Sequence, residues 1–145
     1  MIHAGLGVKM MKWVPCLAAI GLIAIGASCN RNDGLASVTG SVQFRGTPLT
    51  EGQVVFTPQA GTTGAPAVGN IAADGTFAVK TAGRDGAVVG QHRVTVHARQ
   101  KLTEEESRNL VVPKSLIPEK YSQQDQSPLT YDVQAGPNEF RIELE

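Results

Sequence analysis

The sequence predicts an all-β domain, a single β-sandwich of seven short strands with one short helix in a long loop. Two observations carry that expectation. Polar and apolar residues alternate with period two over much of the chain from Val38 onward, and turn-forming residues punctuate the alternating runs. Composition agrees, since 16 glycines and 8 prolines suit many turns and 145 residues leave room for one domain.

The strands follow in order. Val38, Gly40, Val42 and Phe44 face one way while Thr39, Ser41 and Gln43 face the other. Arg45-Gly46-Thr47-Pro48 is a turn, with proline pre-setting φ and glycine allowing its positive values. A second strand over Gln53 to Thr57 stops at Pro58, and the segment from Ala60 to Pro66 is a Gly/Thr/Pro loop. A third, from Val68 to Ala73, meets the hairpin signal Asp74-Gly75, and a fourth runs from Thr76 to Lys80 with Phe77 and Val79 on one face. After a glycine-rich stretch to Gly90 comes the most regular strand, Gln91 to Ala98. There His92, Val94 and Val96 lie on one side, and Arg93, Thr95 and His97 on the other. Leu129, Tyr131 and Val133 define the sixth strand, and Phe140, Ile142 and Leu144 the seventh.

Between Arg99 and Pro128 the alternation fails. Thr103-Glu104-Glu105-Glu106 is a capping box, Thr at the N-cap and Glu three residues on, with acids where the helix dipole favours them. Pro113 stops the helix that this starts. A connection of about thirty residues is long for a compact domain, and such loops are functional or mobile. This stretch, with Tyr121 expected to be exposed on it, is the candidate binding region.

The first residues read differently. Lys9 and Lys12 precede an uncharged run from Trp13 to Ser28, the n-region and apolar h-region of a secretory signal. The run is shorter than the roughly 20 residues of a comfortable bilayer span. Its end, Ile25-Gly26-Ala27-Ser28-Cys29, resembles the bacterial lipoprotein signal, although Gly26 stands where leucine is usual. That resemblance implies cleavage before Cys29 and acylation of its thiol, and two or three acyl chains anchor firmly where one binds marginally. The alternatives are ordinary cleavage near Ala27 or Ser28, or an uncleaved anchor. The expected organisation is a signal peptide over 1–28, lipidated Cys29 and a tether over 29–37, and the β-domain over 38–145. Cys16 lies in the apolar run, so the folded part contains no cysteine and depends on its core alone. The expected location is the cell envelope, anchored to a membrane at its periplasmic or surface face. Asn30 after the acceptor, in place of the aspartate of inner-membrane retention, favours the outer membrane.

Removing the export segment leaves 11 basic residues against 13 acidic, which gives no electrostatic reason to bind nucleic acid. The sequence contains no Gly-x-Ser-x-Gly, no His-Glu-x-x-His and no phosphate-cradling glycine loop before a helix. His92 and His97 are five apart in one strand and point to opposite faces, so they cannot share a metal. The aspartates are dispersed, without the dense alternation of a calcium loop. No catalytic residue, metal or cofactor is expected.

The ordered segments Val38-Thr39-Gly40-Ser41-Val42, Gly46-Thr47-Pro48-Leu49, Val54-Val55-Phe56-Thr57-Pro58 and Asp74-Gly75-Thr76-Phe77 carry a family resemblance. Gly90-Gln91-His92-Arg93-Val94-Thr95-Val96, Ile117-Pro118-Glu119-Lys120-Tyr121 and Gly136-Pro137-Asn138-Glu139-Phe140 extend it. Together they resemble exported bacterial proteins, numerous in planctomycetes, with a transthyretin-like or carboxypeptidase-regulatory-like domain. The resemblance implies a prealbumin-like (Ig-like) seven-stranded sandwich and little about activity, because fold does not carry function. His92 stands where the family has Tyr or Phe, which predicts looser packing there. Transthyretin-like sandwiches include hydroxyisourate hydrolase, with a terminal Tyr-Arg-Gly-Ser. Here the chain ends Phe140-Arg141-Ile142-Glu143-Leu144-Glu145, so only Arg141 matches. The expected function is a non-enzymatic, lipid-anchored envelope module with a structural or binding role and an envelope protein or glycan as partner. The alternative is a secreted carbohydrate- or peptide-binding domain with its site on a strand edge.

Overall fold

The computed structural model describes residues 34–145. The segment expected to be a signal peptide, Cys29 and most of the expected tether lie outside them. The alternating runs become strands where expected, and twelve strands among the described residues replace the seven expected. In chain order they are β1 (Leu35–Ala36), β2 (Val38–Phe44), β3 (Thr47–Pro48), β4 (Gln53–Pro58), β5 (Ala67–Asn70) and β6 (Thr76–Ala78). There follow β7 (Lys80–Thr81), β8 (Arg84–Asp85), β9 (Ala87–Val88), β10 (Gly90–His97), β11 (Thr130–Val133) and β12 (Asn138–Leu144). One α-helix among the described residues, α1 (Glu104–Arg108), opens the long connection, and a single 3-10 turn (Glu119–Tyr121) follows it. No helix among the described residues is long and apolar enough to cross a membrane.

Two larger sheets share one core. The first runs β11-β10-β4-β5-β7-β8, antiparallel throughout. In the second, β2 is flanked on one side by β12, in parallel from Val38↔Asn138 to Phe44↔Leu144, and pairs antiparallel with β3 and β6. The pair β1–β9 forms a small third sheet. One of the additional strands arises after the Asp74-Gly75 turn. At Asp74-Gly75 the Asp74 carboxylate accepts from the Thr76 amide (3.0 Å) and hydroxyl (2.6 Å), and Gly75 takes φ +85°. The single strand expected over Thr76 to Lys80 then divides. Its first half joins β2, Val79 donates to the Val38 carbonyl (3.1 Å), and its second half joins β5. The glycine-rich stretch after it folds into β8 and β9.

Val38, Val42, Ile142 and Leu144 from one sheet meet Val54, Phe56, Val94, Val96 and Val133 from the other, all nearly or fully buried. Phe56 is the hub. Its ring centroid lies 6.2 Å from Phe77, 6.1 Å from His92, 6.4 Å from Tyr131 and 6.0 Å from Phe140. Gly40 makes room for this cluster, because a β-carbon there would lie 2.8 Å from the Phe77 ring and collide with the Phe140 carbonyl. Gly40→Ala is therefore expected to destabilise the domain by about 3 kcal/mol, the upper part of the overpacking range. Urea unfolding checks this, and an unchanged midpoint would show that β12 moves freely.

Candidate functional site

The two ends of β10 define two poles. It starts beside the first described residue, where the Val89 amide donates to the Gly34 carbonyl (3.1 Å). Eight residues later it ends at the other pole, about 25 Å away at the rise of a β-strand. There the long connection turns back on the strand. An Arg99↔Ser115 bridge, Gln100 donating to Lys114 O and Leu116 donating to Ala98 O (each 2.9 Å) close it into a lobe.

Under that lobe His97, Arg99, Pro113, Ser115, Glu119 and Ser122 line a cleft of about 150 Å³. Drug-sized ligands occupy pockets of about 300–1,000 Å³, so this cleft suits a small ion or a single inserted side chain. His97 Nε2 lies 3.2 Å from the Thr95 hydroxyl. Burial, and then the Arg99 charge, lower the His97 pKa below its ordinary value of 6.5. The ring is therefore neutral at pH 7 and available for hydrogen bonding with a ligand. Because the folded-state value is the lower one, the stability tied to His97 is complete above pH 6.5 and declines as the pH falls toward the folded-state midpoint. Arg99→Gln should raise the His97 midpoint, followed by its ring proton resonances. No movement would leave burial as the sole cause.

Beside the cleft stands an exposed apolar tip. Leu110, Val111 and Val112 are 88%, 45% and 79% exposed, and Leu110 takes φ +54°. The expected capping box holds the helix before it, with the Thr103 amide donating to Glu106 (2.8 Å) and the Glu106 amide donating to Thr103 (3.2 Å). The helix stops at Arg108, before Pro113 is reached. This tip was not singled out from the sequence, although three consecutive apolar residues between Arg108 and Lys114 are a readable signal.

Two expectations are corrected. Tyr121 is not exposed: it is 4% accessible, and its hydroxyl accepts from the Glu145 amide (3.1 Å). With Ile117 and Ser127 it shows that the second half of the connection is structural. The cause is tertiary, since Glu145, just after β12, supplies a partner that local polarity does not reveal. Nor is His92 loosely packed. It is 0% exposed, edge-on to Phe56, with Nδ1 donating to the Gly90 carbonyl (2.9 Å). Its Nε2 is buried without a hydrogen-bond partner among the described residues. The two histidines thus lie apart, one in the core and one at the cleft. No group of three or more His, Cys, Asp or Glu among the described residues could hold a metal. Arg141 is exposed on the outer face of β12.

A second concavity of about 420 Å³ lies on the sheet of β2, where Thr39, Ser41, Asn70, Thr76 and Glu139 contribute polar groups. It offers hydroxyl, amide and carboxylate groups without an exposed aromatic platform.

The described residues thus define a mostly-β domain with a small polar cleft at one pole. The domain is similar to the crystal structure of a DUF3823 family protein from Parabacteroides merdae. The two are 15% identical over 75% of this chain and 45% of that one, with a TM-score of 0.42. The chain spans less than half the length of that protein. No protein-family model and no curated protein matches the chain.

Proposed function

We propose that the chain is a non-enzymatic, lipid-anchored module of the bacterial cell envelope whose prealbumin-like β-sandwich presents a binding surface. The observation that carries this reading is the separation of the two poles. Gly34, which falls within the expected 29–37 tether, lies at one end of β10, and the cleft and apolar tip lie at the other. A chain anchored at Cys29 would enter the domain at the pole of Gly34, opposite the cleft and tip. The uncharged run from Trp13 to Ser28 and the small residues before Cys29 support the anchor. The non-enzymatic reading is supported by the histidines, since His92 is fully buried against the Phe56 ring and, among the described residues, His97 has Thr95 alone as a side-chain hydrogen-bond partner.

The intact mass of membrane-extracted protein tests the anchor, wild type beside Cys29→Ala. A wild-type product that begins at Cys29 and carries acyl mass, lost in the variant, is the expected result. An unmodified product cut near Cys29, or one retaining the whole N-terminus, would make a freely secreted or helix-anchored domain the working description. The second reading, a secreted glycan- or peptide-binding domain, is favoured by the polar groove at Thr39, Ser41 and Asn70. Glycan-array binding independent of the anchor would select it.

A further inference from the structure

β12 closes one side of its sheet, and its outer edge is open among the described residues. The even-numbered residues turn their backbone groups to β2. The Asn138 amide donates to Ser37 O (2.8 Å), and Leu144 O accepts from the Arg45 amide (2.9 Å). By the alternation of a strand, the backbone N–H and C=O of Glu139, Arg141 and Glu143 face outward. Only the Tyr131 hydroxyl reaches that edge among the described residues, donating to the Arg141 carbonyl at 3.4 Å.

The other edges of the two large sheets are blunted in ways that prevent strand addition. β8 is two residues long and β11 four, and the far side of β2 is shared by two- and three-residue pieces, one of which ends in Pro48. β12 has seven residues in unbroken register, with neither proline nor bulge.

We propose that the β12 edge binds an extended peptide segment of a partner protein by strand addition, deepening the reading of the chain as a binding module. Main-chain hydrogen bonds to Glu139, Arg141 and Glu143 supply the affinity, and the alternate side chains set the specificity. Residues of the incoming strand opposite these three share the outer face with an exposed Glu-Arg-Glu row, which selects a basic-acidic-basic pattern. The intervening residues turn toward the half-buried Tyr131–Phe140 pair, whose centroids lie 4.8 Å apart, and are apolar. The partner segment thus alternates apolar residues with a Lys-x-Glu-x-Lys row. Two β12 strands of two copies paired antiparallel about Arg141 set arginine against arginine and Glu139 against Glu143, and like charges directly opposite disfavour that register.

The test uses the full chain in detergent micelles and a labelled peptide, Val-Lys-Val-Glu-Val-Lys-Val, which reads the same in both directions. The control is the sign-inverted Val-Glu-Val-Lys-Val-Glu-Val. We expect the first peptide to bind about tenfold more tightly than the second, from three favourable cross-strand pairs replaced by three like-charge ones. Binding should slow amide exchange in the segment 138–144. Arg141→Pro, which removes an outward N–H while leaving the pairing with β2, should abolish binding. Should that variant fail to fold, the surface double variant E139K/E143K serves instead and should weaken the first peptide about tenfold. Equal affinity for the two peptides, protection outside β12 or no binding would overturn the proposal. The acyl mass of the same preparation reports separately on the anchor, so loss of this site and loss of the anchored-module reading are distinguishable.

Discussion

Replacing Phe56 by alanine is expected to destabilise the domain by about 3–5 kcal/mol, the range for a large aromatic side chain removed from a core. The side chain is 0% exposed and touches rings from three other strands as well as His92 within its own sheet. Those neighbours are held by two different sheets, so the space left behind cannot collapse without moving one sheet against the other. The His92 ring would also lose its edge-on neighbour while its Nε2 stays buried. For most domains such a loss is a large fraction of the total stability. Denaturant unfolding of Phe56→Ala beside Phe44→Ala, a half-buried position at the end of β2, measures the contrast. A loss at Phe56 no larger than at Phe44 would show that the aromatic cluster is not the centre of the core.

Exchanging parts of the long connection for short turns should separate it into a dispensable half and an essential one. Replacing residues 101–113 is expected to leave the fold intact, because the Arg99↔Ser115 bridge lies beneath them and their apolar residues are exposed or half-buried. Replacing residues 116–127 is expected to unfold the domain. Ile117 and Tyr121 are each 4% exposed, and loss of large buried side chains costs about 2–5 kcal/mol apiece. The Ser127 hydroxyl, which donates to the Val94 carbonyl, would go with them. Together these approach the whole stability of a typical domain. Circular dichroism melts of the two variants decide the matter, and a cooperative melt in the second would mean that the lobe rests on the core without supporting it.

Much of the secondary structure is legible in local pattern. The strands at Val38–Phe44, Gln53–Pro58 and Gly90–His97 lie where period-two alternation places them, because one face of each meets the core and the other meets water or a loop. The capping box at Thr103 and the Asp74-Gly75 turn are equally local, each a matter of side chains bonding backbone within three residues. The division of the strand after Gly75 is not legible, since a strand that passes from one sheet to another keeps its alternation throughout. The cleft is also hidden from the sequence, because His97 and Glu119 face it from segments brought together by a bridge between Arg99 and Ser115.

By itself, then, the sequence determines the mostly-β character, the main turns, the short capped helix and the expectation of export and anchoring at Cys29. All of these depend on residues within a few positions of one another. Only the tertiary structure decides that β12 lies parallel to β2 with its other edge open among the described residues, that His92 sits edge-on to Phe56, and that Tyr121 is buried with its hydroxyl at Glu145. The physical reason is the same in each case. Pairing and burial are fixed by partners far apart in the chain, and nothing in a residue's immediate neighbourhood records which distant surface will cover it.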